Sequence, residues 1–150
     1  DDEQVGVYEI NLTVIDSHDL SATQTLTITI YNVNDPPEFT STAVTIAPPG
    51  SGYEYIITAT DPDYIHGEES LTITALTTLP SWLTLGSTSY DSDGTWTAVL
   101  SGTPGIADVG DHPVKLKVTD FNGASAEQSF TVRVRVEQDD FSIYLPLIQR

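Results

Sequence analysis

The chain has no cysteine and no methionine, and it is short of positive charge. Each absence excludes something. Without cysteine there is no disulfide scaffold, no thiolate zinc site and no thiol nucleophile. Only five Lys and Arg stand against 22 Asp and Glu in 150 residues, a formal net charge of −17. A surface so negative repels phosphate backbones, which excludes nucleic acid as a partner class. No apolar run approaches the ~18 residues of a membrane span. The amino end reads Asp1-Asp2-Glu3, so no signal peptide is expected within these residues. His18, His66 and His112 are too scattered for a metal triad or a base paired with a nucleophile. No Gly-x-Ser-x-Gly, His-Glu-x-x-His or phosphate loop occurs. Catalysis is not expected.

The little positive charge that is present sits at one end. Residues 1–114 contain no Lys or Arg and carry 17 acids, whereas residues 115–150 carry five of each sign. Most of those acids are expected to form a solvated face. A chain without internal counter-charge has a second option, which is to hold divalent cations; calcium takes roughly 6–8 oxygen ligands from carboxylates, amides and carbonyls.

The hydrophobic period is two. Tyr8, Ile10, Leu12 and Val14 alternate with Glu9, Asn11 and Thr13, and Leu26, Ile28 and Ile30 alternate with threonines. Val114, Leu116 and Val118 alternate with Lys115 and Lys117; Phe130, Val132 and Val134 alternate with Thr131 and Arg133. Such alternation marks strands with one buried and one wet face. Turn signals punctuate them, among them Asn34-Asp35-Pro36-Pro37, Pro48-Pro49-Gly50, Asp93-Gly94 and Asn122-Gly123. No segment carries a helical stripe. The expected fold is all-β, a sandwich.

Shifting the chain by 104 residues aligns its two ends without a gap. Leu12, Val14 and Asp16 fall on Leu116, Val118 and Asp120; Ser21, Ala22 and Gln24 fall on Ser125, Ala126 and Gln128. The repeat has the size of an immunoglobulin-like sandwich. Residues 36–138 then form one complete module, residues 1–35 the last third of another, and residues 139–150 an apolar tail. An isolated strand pair is marginal in water, so the chain is expected to be a piece of a longer array, or one whose first module is completed by other strands.

From Asn32 onward the chain resembles the cadherin-like superfamily, most closely the dystroglycan-type and bacterial modules with an Ig-like Greek-key sandwich. The residues that carry the resemblance are Asn32-Val33-Asn34-Asp35-Pro36-Pro37, Ala59-Thr60-Asp61-Pro62-Asp63, Leu79-Pro80-Ser81-Trp82-Leu83, Leu100-Ser101-Gly102-Thr103-Pro104 and Val118-Thr119-Asp120-Phe121-Asn122-Gly123. In that superfamily calcium lies between successive modules. The resemblance implies Asn32, Asn34, Asp35, Asp61, Asp63 and Asp120 as its ligands here. Position 32 is Asn where cadherins usually have Asp, and Asp63 is followed by Tyr64-Ile65-His66 rather than a glycine-containing turn. One or two weaker ions are therefore expected, not a full three-ion junction. The simpler alternative is that these Asx residues merely bond their own turns.

Other features have readings of their own. Asp91-Ser92-Asp93-Gly94 looks like a calcium loop, but Gly102 stands where an EF-hand needs Glu, so it is read as a hairpin turn. Trp82 and Trp96 are read as core anchors; Trp96 exposed would instead be a sugar-stacking residue. Lys115, Lys117, Arg133 and Arg135 form an outward basic patch, expected to pair with acids on neighbouring strands. The expected function is an extracellular or cell-surface structural and adhesive module with calcium stiffening the junction. Its partners would be other copies or modules of the same protein, a cell-surface protein or a polysaccharide. Two alternatives remain: a filament subunit assembling by strand complementation, and a carbohydrate-binding or spacer module of a secreted hydrolase.

Overall fold

A computed structural model describes residues 4–63 and 70–136. The tail 139–150 and the segment after Asp63 lie outside the described residues. Eleven strands and one short 3-10 turn are present among the described residues. Alternation along each strand sets which side chains turn inward, and the turn residues set where each strand stops.

Among the described residues, strands β1 (Gly6–Ile15) and β2 (Ser21–Ile30) pair only with each other. The sandwich begins after a linker. One sheet has the order β3 (Glu38–Phe39), β5 (Tyr53–Thr60), β9 (Trp96–Gly102), β7 (Leu83–Leu85), with β8 (Ser89–Tyr90) also on β9. The other has the order β4 (Ile46–Ala47), β11 (Ser125–Val134), β10 (Gly110–Thr119), β6 (Thr72–Ala75). The chain changes sheets between β3 and β4. β3 runs antiparallel to β5, and β4 runs parallel to β11.

The core lies between the two sheets. Tyr53, Tyr55, Ile57, Ala59, Trp96, Ala98 and Leu100 come from one sheet; Val114, Leu116, Val118, Val132 and Val134 come from the other. Burying one such Leu or Val is worth about 1.5–3 kcal/mol. Two tyrosine hydroxyls that enter the core are paired, whereas Trp82 Nε1 at its edge is buried without a partner. Tyr55 donates its hydroxyl proton to Gln128 Oε1 at 2.8 Å, and Gln128 Nε2 donates to the Ser41 carbonyl at 2.9 Å, which ties the sheets together. Tyr53 donates to the Val44 carbonyl at 2.7 Å, and burial, with the neighbouring Tyr55, pushes its phenol pKa up to about 12.

The Leu79-Pro80-Ser81-Trp82 segment closes the end where β11 finishes. Trp82 is half-buried, edge-on to both Tyr53 and His112. Its carbonyl oxygen crosses so close to Gly102 that a Cβ there would stand 1.8 Å away. Only glycine permits that approach. Trp96 is in the core, 4% exposed, not on a flat sugar-stacking face. The Asp91–Gly94 segment is a hairpin turn, with Asp91 N–H donating to the Thr95 carbonyl at 2.8 Å. In the basic patch, Lys115 pairs with Glu127 at 2.6 Å and Arg133 with Asp111 at 3.7 Å, the intramolecular arrangement expected from sequence.

The repeat holds in three dimensions. Gly6 pairs with Ile30 and Ile15 with Ser21; 104 residues later Gly110 pairs with Val134 and Thr119 with Ser125. The turns match as well. Asp16 and Asp120 both accept backbone N–H groups from their own turns, and Asp19 (φ 61°) stands in the left-handed conformation that Gly123 (φ 96°) takes in the other copy. Aspartate is one of the few residues that tolerate it.

Candidate functional site

The linker 31–37 brings Asn32, Asn34 and Asp35 against one end of the sandwich. Pro36-Pro37 follows; proline restrains the backbone and donates no hydrogen bond, and Pro37 is fully buried. The strand ends supply the rest. β5 ends at Thr60, so Asp61 and Asp63 fall in the turn just beyond it; β10 ends at Thr119, so Asp120 opens the turn to β11.

The structure brings these six residues together. Asn32 Nδ2 donates to Asp63 Oδ1 at 2.8 Å, and the Asp35 backbone N–H donates to Asp63 Oδ2 at 2.7 Å. Asn34 Nδ2 donates to Asp120 Oδ2 at 2.8 Å, joining positions 86 residues apart. The other oxygen of Asp120 accepts the N–H groups of Gly123 and Ala124. Asp63 donates its backbone N–H to Asp61 Oδ1 at 2.9 Å. The turn-residue reading is thus correct for part of this set, but several of the bonds reach across to another segment.

Sequence reasoning missed one member. Asn122 donates its amide proton to Asn34 Oδ1, so the turn that carries Asp120 grips the linker twice. Asn122-Gly123 was legible as a turn, but nothing local to it shows that its side chain meets residue 34.

The electrostatics are unusual for a sandwich end. Asp61, Asp63 and Asp120 are buried, at 6%, 2% and 7% exposure. No Lys or Arg lies within 50 residues of Asp61 in sequence, and no ion pair reaches the cluster among the described residues. Burial drives the Asp61 carboxyl above its ordinary range. The Asp63 N–H pulls it the other way, and the charges of Asp63, Asp120 and Asp35 add to the rise. Asp61 Oδ2 is buried without a hydrogen-bond partner, which costs about 1–3 kcal/mol or more for a charged group.

The oxygen-bearing groups at this junction are hard: carboxylates and side-chain amides, with Asn32 and Asn34 turning their NH₂ groups to the carboxylates. That chemistry suits calcium or magnesium and excludes a soft, thiolate-type centre. Among the described residues no three carboxylate or imidazole side chains form a metal cage by themselves, so a cation here would need the asparagine and backbone oxygens too. With its orphaned Asp61 oxygen and its uncompensated carboxylates, the residue set fits such an ion.

Known proteins place the fold. Residues 36–135 match the family model described as "Putative Ig domain". No curated protein sequence matches the chain. Among solved structures it is similar to the SrpA adhesin of Streptococcus sanguinis, with 17% identity and a TM-score of 0.53 over 70% of this chain and 59% of that one. It is similar to extracellular cadherin domains 1–4 of protocadherin gamma B7, with 20% identity and a TM-score of 0.61 over 89% of this chain and 33% of that one. The corresponding figures for protocadherin gamma B2 domains 3–6 are 19%, 0.62, 89% and 32%. The chain thus spans 59% of the adhesin and about a third of each protocadherin chain, and at these identities the likeness is one of fold. A family match that takes in most of the chain, on a cadherin-like sandwich of two packed sheets, makes the chain a member of the "Putative Ig domain" family.

Proposed function

We propose that the chain is a structural and adhesive module of an extracellular or cell-surface bacterial protein, in which calcium stiffens the junction between the linker and the sandwich. Residues 36–138 are read as the complete module, residues 1–35 as the closing strand pair of a preceding repeat and residues 139–150 as a tail. The observation that carries the calcium reading is the unpartnered, buried Asp61 Oδ2 in a cluster of carboxylates without a cation. Asn32, Asn34, Asp35, Asp61, Asp63 and Asp120 would hold the ion. It would supply the positive charge that these carboxylates lack.

The residues themselves do the rest. Asn32 and Asn34 turn NH₂ groups toward Asp63 and Asp120; a half-turn of each amide presents oxygen instead. Asp63 joins the linker to the end of β5, and Asp120 joins it to the end of β10. An ion held among these groups would add to those ties and restrict swivelling of the linker, so successive modules would form a rod, which is what an adhesive stalk needs. The carbohydrate-binding alternative loses its main candidate, because Trp96 belongs to the core.

The test is melting and limited proteolysis in 2 mM calcium and in EDTA. Calcium at about ten times its Kd adds about 1.4 kcal/mol, a rise of several degrees in Tm for a domain of this size. Cleavage within 32–38 should slow in parallel. Unchanged melting together with unchanged cleavage would falsify the calcium reading.

A further inference from the structure

One apolar surface is left over. The strand pair β1–β2 has two unlike faces. Glu9, Asn11, Thr13, Thr23, Thr25, Thr27 and Thr29 make one mainly polar, with Val7 and Ile15 at its ends and Thr25 donating to Asn11 Oδ1 at 2.7 Å. The other carries Tyr8, Ile10, Leu12, Val14, Leu26, Ile28 and Ile30, each between 39% and 68% exposed. Apolar faces of this extent mark interaction surfaces.

The same chain holds a second copy of this strand pair with its cover in place. β10–β11 has the register of β1–β2 displaced by 104 residues at both ends. There, Val114, Leu116, Val118, Val132 and Val134 are 0–2% exposed, packed in one core with β5 and β9. Their counterparts in β1–β2 are Ile10, Leu12, Val14, Ile28 and Ile30, the same class of side chain at every position.

One polar residue on the apolar face identifies what belongs there. Gln24 is the counterpart of Gln128. In the covered copy, Gln128 accepts the Tyr55 hydroxyl proton and donates to the Ser41 carbonyl. Gln24 has neither partner among the described residues. A glutamine amid aliphatic side chains is a cost against a lipid surface and a match for a sheet that carries a tyrosine hydroxyl.

We infer that the apolar face of β1–β2 is a docking surface for the inner sheet of a preceding cadherin-like repeat of the same polypeptide, one that presents a tyrosine hydroxyl to Gln24. This rests on reading residues 1–35 as the closing strand pair of such a repeat. It goes further in stating what the cover must contain. The order of elements supports a cover in the same polypeptide: here the covering strands β5 and β9 precede β10 and β11, with β9 joined to β10 by residues 103–109.

The test compares hydrogen exchange in two chains, both in EDTA so that calcium plays no part. One is the chain itself. The other carries a second copy of residues 36–109 ahead of Gly6, which reproduces the order of residues 36–134. In the first chain, β1–β2 amides should exchange at least about 100-fold faster than those of β10–β11; in the second they should slow by about 100-fold. In the extended chain Leu12→Asp should restore fast exchange, Thr13→Asp on the polar face should not, and Gln24→Leu should lose about tenfold of the protection. Slow exchange of β1–β2 in the original monomer overturns the inference. So does fast exchange in the extended chain, because the face is inferred to support that cover. A dimer of the original chain that Leu12→Asp dissolves would assign the face to a second copy and overturn it too. Because both chains are in EDTA, a failure here leaves calcium protection of the 32–38 linker untouched, and the reverse also holds.

Discussion

Two strand pairs of the molecule share a sequence pattern, a register and a turn, and differ in what covers them. In β10–β11, Leu116 is 0% exposed; in β1–β2 its counterpart Leu12 is 54% exposed. Both pairs run for ten residues a strand. Backbone pairing and alternation are therefore set by each pair on its own. Stability is not, since a two-stranded sheet has cross-strand pairs worth only about 0.2–1 kcal/mol each and no core. What differs is the facing sheet: β10–β11 packs on one, and β1–β2 has none among the described residues.

The largest effect should come from equivalent leucines. Leu116→Ala removes a fully buried side chain and should cost about 2–5 kcal/mol, whereas Leu12→Ala should stay within about 0.5 kcal/mol in this chain. Urea denaturation of both variants reads the gap. Equal costs would mean that β1–β2 is as well packed as β10–β11.

Next come the glutamines. Gln128→Leu removes the amide that bridges Tyr55 to the Ser41 carbonyl, leaves the Tyr55 hydroxyl to Ser41, and should cost about 0.5–1.5 kcal/mol. Gln24→Leu should change the melting of the present chain little. A comparable loss at position 24 would show that it already has a partner.

The smallest effect separates the buried aspartates beside β10–β11 from the exposed turn aspartate of β1–β2. Asp120 shares its surroundings with Asp61, whereas Asp16 sits in an exposed turn. The Asp61 pKa is raised in the folded state, so that state binds its proton more tightly than the unfolded chain does. Its contribution is fully favourable below the unfolded carboxylate pKa, and is lost as pH rises through the folded value. In EDTA, Asp61→Asn should therefore flatten the decline in stability on the alkaline side of the ordinary carboxylate range, and Asp16→Asn should leave it in place. Thermal melts from pH 3 to 7 would decide, and matching profiles for the two variants would remove Asp61 as the cause.

Much of the fold was legible because its signals are local. The alternation around Val114, Leu116 and Val118, the Asn122-Gly123 turn and the 104-residue offset all survive without change in three dimensions. The six junction residues were reached only through their resemblance to a known linker pattern. Asp61, Asp63 and Asp120 look like ordinary turn residues when read singly. Asn122 escaped notice because its role depends on Asn34, 88 residues away. Trp82 and Trp96 read alike in sequence, yet one is half-buried at the end of the sandwich and the other is in its core.

The sequence by itself determined the four long strands, their pairing in two pairs and which face of each is apolar, since period and turn chemistry act over a few residues. Only the tertiary structure decided that the Asp61 carboxylate lies buried among other acids, that Gly102 passes beneath the Trp82 carbonyl and that one of two equivalent faces is covered. Those outcomes depend on how distant strands are stacked. Stacking is fixed by the packing of whole sheets, which no short window of sequence contains.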